Sequence, residues 1–305
     1  MRIIFMGTPQ FAVASLDALI KAGSDIVAVV TAPDKPAGRG QKVSESAVKQ
    51  YAVANGLKVL QPEKLKNEDF IAELKALKAD LQVVVAFRML PEAVWNMPAK
   101  GTINLHASLL PQYRGAAPIN WALINGEKES GVTTFFLKHD IDTGNILFTE
   151  KITLTGHEDA GELHDRLMNK GAGLLVKTVK AVESGRYNEH PQSQLAEGAE
   201  LRHAPKIFKD DCRIDWTQPA LSIYNKIRGL SPVPTAYTEL NGKSLKVYAS
   251  EYQLSEPAIQ PGGFLTDNKT YLKFAAKDGF VLLKDIQLEG KKRMGIEDFL
   301  RGVKL

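Results

Sequence analysis

Met1-Arg2-Ile3-Ile4-Phe5-Met6-Gly7-Thr8-Pro9 opens the chain, and Ile26-Val27-Ala28-Val29-Val30 follows after one amphipathic stretch. The run from Ile3 to Met6 is apolar at every position, the pattern of a short strand buried on both faces. Phe11, Leu16, Leu19 and Ile20 then recur at helical spacing, and Gly23 suits a helix C-terminal cap. The same alternation continues outward. Apolar strand patterns are predicted at 58–60, 81–86, 102–105 and 133–137, with helical patterns at 46–55 and 70–78. Strands apolar on both faces and separated by helices require a sheet covered on both sides. The expected fold class is α/β: a Rossmann-like open, mostly parallel sheet with helices on both faces.

The pattern changes further along. Leu163, Leu167, Leu174, Leu175, Val179 and Val182 mark a long amphipathic helix over 162–183. Residues 185–205 are polar with little periodicity and read as a linker. Beyond Ile207 short strands are predicted at 236–240, 245–251, 263–266, 271–275 and 280–287, with one helix near 221–227. Asn241-Gly242 and Lys277-Asp278-Gly279 are hairpin turn signals. Five short strands with one helix suggest a small, OB-like C-terminal β-barrel. The expected division is a domain at 1–189, a linker at 190–206 and a barrel domain at 207–305.

Composition excludes several classes. With 305 residues, 44% hydrophobic and 24% charged, the chain is neither disordered nor collagenous. The single cysteine, Cys212, excludes a disulfide framework and a Cys-rich zinc site and fits a reducing compartment. No apolar run approaches the roughly 18–20 residues of a membrane span. Met1 leads directly into a strand pattern, so neither a signal peptide nor a membrane association is expected and the predicted location is the cytoplasm. The net charge of +4 is modest. Residues 207–305 hold 15 basic against 12 acidic side chains, including Lys291-Lys292-Arg293. That asymmetry suits either a solvated surface or an anionic partner.

Candidate chemistry sits at strand ends. Gly7-Thr8-Pro9 lacks the G-x-G-x-x-G pattern and no P-loop is present, so a dinucleotide or ATP site is poorly supported. Asn104 and His106 alternate on one face of a predicted strand, at its carboxyl end, where open α/β sheets bind ligands. Asp142, in Asp140-Ile141-Asp142-Thr143-Gly144, follows the next strand. It suits a turn aspartate, or a carboxylate that orients His106 and positions a water. No H-x-x-x-H or Cys partner accompanies the three, so no metal site is expected. Asn, His and Asp instead suit acyl transfer without a covalent nucleophile: an oxyanion stabiliser, an acid/base and its orienter.

Asn104-Leu105-His106, Ser108-Leu109-Leu110-Pro111, Tyr113-Arg114-Gly115 and Asp142-Thr143-Gly144 together resemble the formyltransferases that use 10-formyltetrahydrofolate. Gly7-Thr8-Pro9, the loop from Pro33 to Gly40, Ala116-Ala117-Pro118-Ile119, Arg213-Ile214-Asp215-Trp216 and Ile227-Arg228-Gly229 resemble the branch of that family acting on methionyl-tRNA. These marks span nearly the whole chain.

The resemblance implies a catalytic trio of Asn104, His106 and Asp142. It implies folate contacts from Ser108, Leu109, Leu110 and Pro111, and from a pterin loop Phe87, Arg88, Met89 and Leu90. That loop departs from the common pattern of the branch, which has Gly after the aromatic; Arg88-Met89-Leu90 is similar to the purine-pathway branch instead. Lys35, Arg39 and Lys42 lie in the insertion that, by resemblance, reaches the tRNA acceptor end, while the barrel holds the tRNA body. The implied co-substrate is 10-formyltetrahydrofolate with no metal, and the implied partner is initiator methionyl-tRNA bound by a monomer. Rival readings are a formyltransferase acting on a sugar-nucleotide or purine-precursor amine, and a non-catalytic RNA-binding protein on the same scaffold.

Overall fold

Seven strands form the first sheet, in the order Ile146–Thr153, Glu129–Phe136, Thr102–His106, Leu81–Val85, Arg2–Gly7, Asp25–Val30 and Val59–Leu60. The five from Thr102–His106 to Val59–Leu60 pair in parallel, and Glu129–Phe136 runs antiparallel to Thr102–His106. The sheet is mixed and mostly parallel, the parallel part being what the alternation of strands and helices implies. The computed structural model describes residues 1–37, 42–198 and 200–305, without the side chains of Pro36, Ala37, Lys42 and Val43. Among the described residues no helix is long and apolar enough to cross a membrane.

The central strand is apolar throughout because both its faces are covered: Ile3, Ile4, Phe5 and Met6 are buried. Gly7 ends it for a steric reason. A Cβ there would lie 2.6 Å from the Ala12 Cβ and 3.0 Å from the Val85 carbonyl oxygen, so glycine lets the helix Gln10–Lys21 start tight against the sheet. A 25-residue helix, Ala160–Ser184, lays a second small residue on the site strand, where a Cβ on Gly171 would stand 2.9 Å from Leu105. Its Thr178 hydroxyl meets that of Thr134 at 2.8 Å, satisfying two buried polar groups against each other.

The chain divides into two compact units. The first comprises residues 1–114, 131–152 and 165–202, and holds the seven-stranded sheet. The second comprises 115–130, 153–164 and 203–305, so it draws two segments from between stretches of the first. The stretch read as a linker carries the short helix Gln192–Leu195 and the two-residue strand His203–Ala204.

In the second unit the strands follow the order Ala236–Leu240, Lys243–Leu254, Gly279–Leu288, Leu272–Ala275 and Phe264–Thr266, with Met294–Gly295 also on Gly279–Leu288. The register shifts around Ala249 bend the 12-residue strand, as a small OB-like domain requires. Trp216 stacks on Phe274 at 4.6 Å and donates its indole N–H to the Thr238 hydroxyl at 2.9 Å. Arg228 is buried, donating from Nη1 to the main-chain oxygen of Glu158 at 3.1 Å and from Nε to Asn225 Oδ1 at 2.8 Å.

Glu158 supplies a test of this unit. Burial pushes its pKa up, but donation from the Thr155 hydroxyl and from backbone amides of the same turn outweighs that and holds it at about 2. A carboxyl whose folded pKa lies below its ordinary 4.5 stabilises the fold above that pH, and the contribution is lost as the pH falls toward 2. Urea unfolding across that window should show wild type losing stability steeply. Glu158→Gln should start lower at neutral pH and lose less on acidification; parallel curves would contradict this role.

Candidate functional site

The strand Thr102–His106 positions the first two site residues. Its regular pairing, with Asn104 opposite Phe135 and His106 opposite Thr133, puts both on one face, while Ile103 and Leu105 are buried on the other. His106 is only 8% exposed, and its Nε2–H donates to the Tyr113 carbonyl at 2.9 Å. That bond fixes the ring and leaves Nδ1 facing Asp142, whose Oδ2 lies 3.8 Å away. The separation lies within ion-pair range but beyond a direct hydrogen bond. Asp142 is itself 9% exposed, so any charge on the pair is little screened by solvent.

Three non-glycine residues around these loops hold left-handed backbone: Ala86 (φ 48°), Tyr113 (φ 59°) and Asp142 (φ 54°). Such conformations cost free energy in an L residue and persist only where the surroundings enforce them. At Asp142 the enforcement is visible. A Cβ on Gly144 would overlap the Phe136 carbonyl, so this loop packs onto the strand Glu129–Phe136 with no room for a side chain. The loop is also gripped by Gln192, whose Nε2 donates to the Asp142 and Gly144 carbonyls, each at 2.8 Å.

The loop after His106 is equally constrained. The Ser108 hydroxyl donates to the Gln112 carbonyl at 2.7 Å, and its own carbonyl accepts from Thr133 Oγ1 at 2.7 Å. Leu109 is half-buried and Pro111 buried, while Leu110 packs with Phe135 and Ile146. The other segment assigned to folate lies at the end of the strand Leu81–Val85. Leu90 is core there, Phe87 is half-buried and Met89 is 72% exposed. Leu137 packs against both the cluster that holds Leu110 and the larger core cluster that holds Leu90. Arg88 turns inward: its guanidinium donates to the carbonyls of Pro62 and Glu63 at 2.7 and 3.0 Å. Its contacts here bind one loop to another. An exposed thioether beside a half-buried aromatic suits a flat heteroaromatic ring.

Of the three residues assigned to tRNA, Lys35 is exposed on the strand Lys35–Ala37. Lys42 begins the strand Lys42–Ser44, and its side chain, like the whole of Arg39, lies outside the described residues. The approach to this hairpin is anchored by Asp34, which accepts from Lys49 and from Gln61 Nε2, the latter at 2.8 Å. Among the described residues no group of three or more His, Cys, Asp or Glu is placed to hold a metal ion.

Sequence reasoning missed Gln192 and the carbonyl of Tyr113. A lone glutamine in a polar, aperiodic stretch carries no signal of burial, and a carbonyl carries none at all. Arg114, part of a quoted motif, had no assigned role; its Nε and Nη2 donate to Gln192 Oε1 at 3.0 and 2.7 Å.

Comparison with known proteins identifies the family. Residues 1–179 match the formyl transferase family and residues 206–304 match the formyl transferase C-terminal domain. The methionyl-tRNA formyltransferase of Parabacteroides distasonis is 57% identical, covering 100% of this chain and 96% of the relative. That of Bacteroides fragilis is 53% identical over the same shares. Among solved structures, HypX from Aquifex aeolicus in complex with tetrahydrofolic acid shares the fold at a TM-score of 0.66 and 18% identity, covering 100% of this chain and 48% of that one. The sugar 3N-formyl transferase WlaRD shares it at 0.66 and 21% identity, covering 96% and 99%. The residue patterns at both ends of the chain and the full-length likeness thus agree: the chain belongs to the formyl transferase family, among the methionyl-tRNA formyltransferases.

Proposed function

We infer that this protein transfers the formyl group of 10-formyltetrahydrofolate to the α-amino group of initiator methionyl-tRNA, supplying formylated initiator for translation. The observation that carries the chemistry is His106 Nδ1 facing the Asp142 carboxylate at 3.8 Å, with Asn104 on the same strand face. The choice of acceptor rests on the full-length likeness to methionyl-tRNA formyltransferases.

The folate co-substrate supplies an activated formyl group. Asn104, through its side-chain amide, donates to the formyl oxygen as negative charge gathers there during attack by the neutral amine. His106 does the same through Nδ1–H, since Nε2 is occupied by the Tyr113 carbonyl. Asp142 balances the charge that His106 carries when doubly protonated, and holds a water that takes the amine proton toward the departing folate nitrogen. The new C–N bond forms first, giving a tetrahedral intermediate that collapses as the bond to the folate nitrogen breaks and that nitrogen takes up the proton. Ser108 to Pro111 and Phe87 to Leu90 flank the folate, and Lys35, Arg39 and Lys42 meet the tRNA acceptor end. The protein works as a cytoplasmic monomer, organised as a catalytic domain over 1–189, a connecting segment over 190–206 and a tRNA-holding domain over 207–305.

Arg39 provides the test of acceptor choice. A guanidinium pairs with phosphates and base edges through a planar fork that lysine lacks. Arg39→Ala should therefore cost about 1–3 kcal/mol in kcat/KM for methionyl-tRNA, with Arg39→Lys recovering only part. Steady-state formylation of initiator methionyl-tRNA, beside a sugar-nucleotide amine as rival acceptor, checks both points. Unchanged efficiency in Arg39→Ala would remove the loop from tRNA recognition; preferential formylation of the sugar-nucleotide amine would replace the acceptor.

A further inference from the structure

We propose that Gln192 is a positioning residue of the active site: its buried side-chain amide braces the Asp142 loop against the loop that orients His106. The inference rests on the formyl-transfer reading above. Gln192 is 2% exposed, yet it belongs to a four-residue helix in a stretch whose sequence reads as a linker. Full burial of a polar side chain there costs free energy unless every donor and acceptor is matched.

The match is complete and directional. Two donors leave Nε2, one to the carbonyl of Asp142 and one to that of Gly144, both at 2.8 Å. Oε1 accepts both Nε and Nη2 of Arg114, at 3.0 and 2.7 Å. A flipped amide would set NH2 against a guanidinium and oxygen against two carbonyls, so only one orientation satisfies the site. Arg114 directly follows Tyr113, the residue whose carbonyl holds His106 Nε2. One side chain therefore ties the backbone that carries the carboxylate to the backbone that aims the imidazole. The Tyr113 amide extends the brace by donating to the Arg202 carbonyl at 2.7 Å.

Asp142 needs such support. Its left-handed backbone is unfavourable for a residue with a Cβ, and the 3.8 Å gap to Nδ1 depends on how that loop sits. Displacing a catalytic group by about 1 Å can cost roughly 100-fold in rate. Gln192 touches neither the His106 ring nor the Asp142 carboxylate in any of these bonds, so its effect is indirect.

The experiment is a double-mutant cycle on the full chain, read by initiator methionyl-tRNA formylation and by equilibrium binding of tetrahydrofolate. Gln192→Met keeps the length and removes all four hydrogen bonds. Gln192→Glu keeps the partnership with Arg114 and removes the two donors to the Asp142 loop. Both should lower kcat by roughly 10- to 100-fold, with KM for methionyl-tRNA and tetrahydrofolate affinity within about threefold of wild type. In an Asp142→Asn background, the same Gln192 changes should lose most of their effect, because groups acting as a unit are not additive. A purely structural role would move stability and folate affinity and would persist in that background. Turnover within twofold of wild type for Gln192→Glu, or an undiminished penalty beside Asp142→Asn, overturns the brace. Failure of wild type itself to formylate methionyl-tRNA counts against the reaction assigned above.

Discussion

Replacing His106 by Ala is expected to lower kcat for formyl transfer by at least hundreds-fold. Removing one preorganised donor to a developing oxyanion typically costs about 2.7–4 kcal/mol of barrier. The same change removes the ring that faces the Asp142 carboxylate and donates to the Tyr113 carbonyl. Tetrahydrofolate affinity should stay within a few-fold, because the interaction strengthens only as charge develops on the formyl oxygen. Asp142→Asn should act in the same direction through His106, and the double variant should be far from additive. Steady-state kinetics with separate donor-binding measurements check all three. Turnover near wild type in either single variant would remove the trio from the chemistry.

The largest effect on stability is expected from Trp216→Ala in the second unit. The side chain is 9% exposed, stacks on Phe274 with ring planes 9° apart and bonds to Thr238. Truncating a buried Trp to Ala typically costs about 3–5 kcal/mol, from lost transfer free energy and the cavity left behind. Trp216→Phe keeps most of the apolar area and drops the indole donor, so it should cost about 1–2 kcal/mol, the price of an unmatched Thr238 hydroxyl and a partial cavity. Chemical denaturation with a probe in the second unit measures both. Equal midpoints for the Ala variant and wild type would mean that the stack carries little of the core.

Much of the fold is legible from the residues. Ile3 to Met6, and Leu81 with Val83 to Val85, are apolar because both faces of the sheet are covered, and each run forms a central strand. The five strands expected in the last third are present, two of them longer than expected, with turns at Asn241-Gly242 and Lys277-Asp278 between them. Ile146–Thr153 escaped notice. Its outer half alternates exposed and half-buried residues at the sheet edge, a weak signal beside a fully buried run. The helix Pro118–Ile124 is too short for periodicity to identify it.

The candidate site was legible in part. Asn104 and His106 share a face because strand period fixes it; the next strand runs antiparallel and ends opposite Ile103, so it is the loop after that strand that brings Asp142 near His106. Burial of Gln192 was not legible, because it lies in an unpatterned segment and depends on partners 48 to 78 residues away. Arg88 illustrates a different limit. The resemblance places it in the pterin loop, and its donation to the Glu63 and Pro62 carbonyls, 25 and 26 residues earlier, is announced by no local pattern.

The most direct measurement is transfer of labelled formyl from 10-formyltetrahydrofolate to charged initiator tRNA, followed as N-formylmethionine released from the tRNA. Wild type should formylate methionyl initiator tRNA with multiple turnovers, and His106→Ala should fall by at least hundreds-fold with its tetrahydrofolate affinity retained. Binding of methionyl-tRNA and folate without label transfer, or transfer that is equally fast in His106→Ala, would contradict a formyl transfer carried by Asn104, His106 and Asp142.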